Sequence, residues 1–254
     1  MPAEEFEINS VGDLLKQLEE VNRSAKVVWF RGHARGSWHL EPTLSRQGKL
    51  DAELQLTKRF KQNAFQFLNH VPSEEWEWMF IMQHYGVPTR LLDWTENPLI
   101  ALYFATRDDG FKKGERRPAA AIWVLYPRKL NEMSGIAMRS PDDIPAFGDD
   151  HELEDYLPSR VSQGNLSKNP LAIIATRQFG RVVAQQGVFT IMHREARKIE
   201  ELRDTNGASA HVRKLVIPRK SVVSIRRELH LLRINKLFVF PQLENAAEEA
   251  VLGL

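Results

Sequence analysis

Cysteine is absent from the 254 residues. That excludes disulfides, thiolate nucleophiles and cysteine-bound metals. No apolar run approaches the roughly 18 residues of a membrane span. The opening MPAEEFEINS is acidic and polar and lacks the basic n-region and apolar h-region of a signal peptide. The expectation is a cytoplasmic protein with no membrane partner. Also missing are GxGxxG, a P-loop, HExxH and any clustered histidine pair, so no metal site is expected. Charge of one sign is lacking too: 35 Lys and Arg stand against 33 Asp and Glu, for a net +2. A strongly basic nucleic-acid protein is thereby excluded, while a local basic face stays open.

What is present is an ordinary globular composition, 43% hydrophobic and 27% charged, with enough length to bury a core unaided. No repeat or linker divides residues 1–254, which read as a single domain. Val11, Leu14, Leu15, Leu18 and Val21 follow helical spacing, and Ser10 with Asp13 resembles a capping box, predicting a helix over 10–22. Val27 to Phe30 reads as a short buried strand closed by Arg31 and Gly32. Helices are expected over 51–69 and between Ser73 and Gly86. In PTRLLDWTENPLIALYFAT, residues 89–92 read as extended, and Asn97-Pro98 opens an apolar, buried helix. Ala119 to Tyr126 reads as a strand. Residues 127–170 have little periodicity and read as an insertion or surface excursion. Beyond them come strands at 171–175, 181–192, 213–217 and 237–240, with helices at 194–203, 221–232 and the C-terminus. Irregular alternation, with helices mainly in the N-terminal half, predicts an α+β fold.

Three polar clusters sit on apolar scaffolding. Arg31 either pairs with a buried carboxylate such as Asp93 or clamps an anion, for which its planar fork is suited. Gly32 would let a ligand approach the backbone. In QHYGVPTRLLDWT, the residues His84, Thr89, Arg90, Asp93 and Thr95 crowd between a helix end and the next helix start. Strand periodicity puts Thr89, Leu91 and Asp93 on one face and Arg90 and Leu92 on the other. These groups either satisfy one another or receive an anionic ligand beside the next helix N-terminus. In AQQGVFT, Gln185 and Gln186 read as strand residues on opposite faces, with Gly187 marking a bulge. Trp29, Trp38 and Trp94 are either core or base-stacking residues. A phosphodiesterase using His84 and Arg90 is the weakest reading, because no second acid–base partner is evident.

Together these segments resemble the FRG-domain family. Phe30-Arg31-Gly32, with Trp38, Leu40, Pro42 and Arg46, is similar to its opening motif. QHYGVPTRLLDWTENPLIALYFAT is similar to its central signature, AQQGVFTI to a third motif, and the segment from Ile217 to Ala247 to its close, where Gln242 replaces the usual Asp. The resemblance implies an ADP-ribosyltransferase-like fold with split antiparallel sheets. It implies NAD as substrate, a macromolecular acceptor (nucleic acid or protein), a toxin or anti-phage role, and an antitoxin or inhibitor protein as partner. It assigns catalysis to Arg31, Asp93, Thr95 and Gln186, and NAD binding to Gly32, His84, Thr89, Arg90 and Gln185. A carboxylate helps most where a sugar gains positive charge, and a glutamine brings none. Either Asp93 supplies the charge, or activity is modest, or the domain binds a nucleotide without cleaving it.

Overall fold

The computed structural model describes residues 4–108, 111, 115–136, 140, 143–163, 167–175, 179–195 and 197–252. Among these residues seven strands form one sheet: β1 (Glu4–Glu7), β2 (Trp29–His33), β3 (Leu91–Thr95), β4 (Ala120–Leu125), β5 (Leu171–Ile173), β6 (Gly187–Ile191) and β7 (Val212–Ile217). Their order is β1-β7-β4-β2-β3-β6-β5. Neighbours are antiparallel except β1 and β7, which are parallel. The helices are α1 (Val11–Ser24), α2 (Thr43–Arg46), α3 (Glu53–Ala64), α4 (Glu75–His84), α5 (Pro98–Thr106), α6 (Pro127–Met133), α7 (Pro158–Gln163), α8 (Gly180–Ala184), α9 (Val222–Leu231), α10 (Lys236–Val239) and α11 (Leu243–Leu252). The fold is therefore mixed, as the alternation of patterns implies. The helices do not gather in the N-terminal half, since α8 to α11 all follow residue 179.

The strands make one sheet, not two, but it has a weak joint. β2 pairs with β4 at five positions, and β3 with β6 at five; β2 and β3 meet in register only where Phe30 faces Thr95. Beyond that position the two strands part.

Three apolar clusters hold the layers. On one face α1, α5 and α9 bury Leu14, Ile100, Leu102 and Ile225 against Phe30, Ile122, Val124 and Leu215. The other face packs Trp29, Trp94 and Trp123 with Leu92 and Leu125. A third cluster joins Met79, Leu91, Leu153, Tyr156 and Ile191 at the β5–β6 edge. Trp29 and Trp94 are thus core residues, and Trp94 Nε1 donates to Thr190 Oγ1 at 3.0 Å. Trp38 alone of the three singled out is half exposed.

Several elements form as their residues require. Ser10 caps α1 by accepting from Asp13 N at 3.0 Å. Asn97 caps α5 by accepting from Leu99 N, with Pro98 in the first helical turn. Arg31 and Gly32 do not close β2 but lie inside it. At Gly32 a Cβ would fall 1.9 Å from the Ala101 carbonyl and 2.6 Å from Ala105 N. Glycine is needed there because the backbone of α5 packs onto that of β2.

Other expectations fail for identifiable reasons. Residues 180–184 are helical, Gln185 and Gln186 form a turn, and the strand begins only at Gly187. Gln186 has φ +46, a left-handed conformation that ends strand pairing at that point. The expected strand at 237–240 is the short helix α10, capped by Asn235, whose side chain accepts from Phe238 N at 2.9 Å. Among the described residues of 194–203 only Ile199–Glu201 is helical, a single 3₁₀ turn pinned to the Leu40 loop through Glu200.

The described parts of 127–170 are not a surface excursion, because Leu130, Asn131, Leu153 and Tyr156 are buried. Asn131 there serves the edge strand. Its Nδ2 donates to Ala172 O at 2.9 Å, and its Oδ1 accepts from Ala172 N at 2.7 Å. The amide completes the ladder of β5 where no further strand follows among the described residues. Asn131→Ala would leave both backbone groups buried and unpaired, and should cost about 2–4 kcal/mol in urea unfolding.

Candidate functional site

The site lies where β2 and β3 part. Arg31 is half buried there and bridges the gap: its Nη1 donates to the Asp93 carbonyl oxygen at 2.5 Å. Its Nε donates to His33 Nε2 at 3.0 Å. No protein partner engages Nη2 among the described residues. Burial lowers the Arg31 pKa, the Asp93 carboxylate opposes that, and Arg46 adds to it. A cavity of about 170 Å³ opens beside it, bordered by Arg31, Gly32, Asp93, Thr95, Arg181 and Gln185, with α5 beneath.

His33 is the hinge of this geometry. To accept from Arg31 it must be neutral at Nε2. Burial first, and then the Arg31 charge, push its pKa down to about 3. Its folded pKa lies below the ordinary 6.5, so the stability it contributes is present above that value. It is lost as pH falls toward about 3, with a limiting slope of about 1.4 kcal/mol per pH unit. Burial lowers His84, His193 and His211 in the same direction. The melting temperature should therefore drop between pH 6.5 and 4. His33→Gln, which can still accept from Arg31, should flatten part of that drop; an unchanged profile would contradict this account.

Asp93 is oriented by a relay. Leu91 N donates to Thr89 Oγ1, whose hydroxyl donates to Gln83 Oε1 at 2.5 Å, and Gln83 Nε2 donates to Asp93 Oδ2 at 2.8 Å. Thr89 is therefore buried and supports the site without bordering it. Thr95 does border it, but its hydroxyl is committed: it donates to Gln185 O at 2.6 Å and accepts from Asn97 N at 3.0 Å. It ties the α8–β6 turn to the start of α5. Gln185 borders the cavity, with Nε2 donating to Val239 O at 3.1 Å.

Residues 26–113 match the family model described as the FRG domain. The match spans about a third of the chain. No curated protein and no solved structure matches it. The matched segment contains Arg31, Gln83, Asp93 and Thr95. The two other polar side chains of the cleft, Arg181 and Gln185, come from beyond residue 113.

Of the residues expected in the site, the fold brings Arg31, Gly32, Asp93, Thr95 and Gln185 to one cavity. Gly32 contributes backbone, and the contact that requires glycine is with α5, not with an open approach for a ligand. His84 lines an adjoining space, stacked on Phe179 with ring centroids 4.1 Å apart. Two expected residues fall elsewhere. Arg90 is 1% exposed and fully used, donating to Glu53 Oε2 at 2.7 Å and to the Met192 and Tyr156 carbonyls at 2.6 Å each. It projects to the opposite side of β3 from Asp93, and His84 and Arg90 share no cavity, which removes the phosphodiesterase pairing. Gln186 borders neither space; its carbonyl accepts from Glu96 N at 3.1 Å within the turn.

Sequence reasoning missed His33, Gln83 and Arg181. His33 was legible as the i+2 neighbour of Arg31 on a strand. Gln83 lay inside the quoted motif. Arg181 had no signal, because its segment reads as strand. Among the described residues no cluster of His, Asp and Glu could hold a metal ion, and no helix is long and apolar enough to cross a membrane.

Proposed function

We propose that the protein is an NAD-dependent ADP-ribosyltransferase that modifies a macromolecule, in a toxin or defence role that would call for an inhibitor protein. The observation that carries this is the Arg31 guanidinium, fixed at the parting of β2 and β3, with Asp93 and Gln185 bordering the same cavity. The ADP-ribosyltransferase-like arrangement belongs to the proposal: the single-position joint between β2 and β3 stands for the cleft between two half-sheets. The donor set suits the ligand. Arg31 keeps a free fork nitrogen and Arg181 has no ion pair among the described residues, so two cations meet a pyrophosphate.

NAD supplies an activated bond from ribose to nicotinamide. The protein's part is to bind and to bias charge. Arg31 orients the nucleotide, and the Gln185 amide can hold a ribose hydroxyl. Asp93 is the carboxylate that opposes positive charge growing on the sugar, the task a glutamine at the third motif cannot perform. Non-catalytic nucleotide binding is the second reading, favoured by that glutamine and by the committed Thr95 hydroxyl.

The test is incubation with radiolabelled NAD and cell extract. Transfer of label and release of nicotinamide are expected. Binding of NAD without consumption, in the presence of extract, would select the second reading; neither binding nor consumption would end both.

A further inference from the structure

The Arg31 cavity has a neighbour across Asp93, Arg181 and Gln185, which border both spaces. This second space, about 60 Å³, differs in chemistry: Trp76, Phe80, Phe179 and Phe189 line it together with Glu77 and Gln83. We propose that this aromatic cavity is the acceptor subsite and takes one nucleobase of a single-stranded nucleic acid. The inference rests on the transfer reading of the neighbouring cleft.

The rings are set as fixed plates. Phe179 lies on His84 at 4.1 Å with 10° between the planes, Phe80 meets Phe189 at 5.1 Å, and Trp76 stacks parallel to Phe147. Such walls favour a flat heterocycle, since stacking contributes about 1–3 kcal/mol per base. The polar groups of the shared wall are mixed, with Asp93 accepting, Arg181 donating and the Gln185 amide next to them. A base edge presents donors and acceptors together. An arginine side chain as acceptor would need acceptors only, and would meet the Arg181 cation. Charge points the same way. Arg181 sits over the Phe240 ring at 5.0 Å with no ion pair among the described residues, and Arg107 approaches that ring at 5.3 Å. A phosphate of a polynucleotide supplies an anion for Arg181.

Asp93 then has a place in the chemistry. Gln83 holds Oδ2, and Oδ1 has no protein partner among the described residues. In the transfer, the bond from ribose C1′ to the nicotinamide nitrogen breaks, with its electron pair leaving on nicotinamide. A nitrogen of the base gives its lone pair to C1′, and the proton it sheds passes to Asp93 Oδ1 and on to water.

Fluorescence anisotropy with labelled mixed-sequence RNA and DNA octamers tests this on the whole chain. Wild type should bind an octamer, and saturating NAD should leave it bound. Phe179→Ala, at a half-exposed position, should weaken octamer binding at least tenfold, and Phe179→Trp should restore it. Mass spectrometry of a reacted octamer should place ADP-ribose on a base. No octamer binding, equal binding by Phe179→Ala, competitive displacement by NAD, or label found on protein instead of octamer would each overturn the proposal. Octamer binding sensitive to Phe179 in a protein that binds no NAD would remove the transfer reading and the acceptor role, and leave the cavity as a base-binding site.

Discussion

Arg31→Ala is expected to lower NAD turnover by about 10²–10³-fold, the scale of losing one preorganised charged donor, while far-ultraviolet circular dichroism stays unchanged. The guanidinium does two things that no other side chain in the cleft can do. It joins β2 to β3 through the Asp93 carbonyl, and it presents a free fork nitrogen beside the cavity. Arg31→Lys keeps the charge but cannot reach His33 and Asp93 at once, because an ammonium lacks the planar fork. It should recover only a minor part of the lost rate. Nicotinamide release followed by chromatography gives both numbers. Full activity in Arg31→Ala would mean that the cleft is not the reaction site.

The largest loss of stability is expected at Arg90. Arg90→Ala should cost about 3–5 kcal/mol in urea unfolding, because it leaves the Glu53 carboxylate buried without its cation. Two backbone carbonyls, of Met192 and Tyr156, lose their donor in the same change. The shift should appear in the midpoint of unfolding with little change in slope. Glu53 is 6% exposed, and its Oε1 already lacks a hydrogen-bond partner, so little relaxation can soften the loss. Whatever fraction of Arg90→Ala remains folded should bind NAD as wild type does. That outcome separates Arg90, a brace between α3, β6 and the residues before α7, from Arg31, a group of the cleft.

The contrast between these two arginines shows what the chain discloses by itself. Strand periodicity separates Arg90 from Asp93, and the structure keeps them on opposite sides of β3. Nothing local says which side holds the ligand, since that depends on α3 and on residue 156, distant in sequence. The caps at Ser10 and Asn97 are legible because they are short-range and chemically specific. The helices α8 and α10 are not legible: each is four or five residues long, too short for periodicity to tell helix from strand. That error has a cost at the site. Reading 181–192 as one strand sends Gln185 and Gln186 to opposite faces and hides Arg181. The turn instead brings Gln185 and Arg181 to the cleft and leaves Gln186 outside it.

Residues 127–170 fail for a different reason. The burial of the described residues there comes from scattered contacts, such as the Asn131 amide on β5 and Tyr156 in the edge cluster, which no regular pattern announces. The sheet joint is likewise invisible in sequence, because the one paired position, Phe30 with Thr95, joins residues far apart in the chain.

The most direct measurement is a crystal structure of the protein soaked with NAD. It should show the nucleotide lodged where β2 and β3 separate, with a phosphate or ribose oxygen within hydrogen-bond distance of Arg31 and the reacting ribose next to Asp93. Nucleotide density elsewhere on the surface, with the Arg31 fork facing only water, would contradict the account.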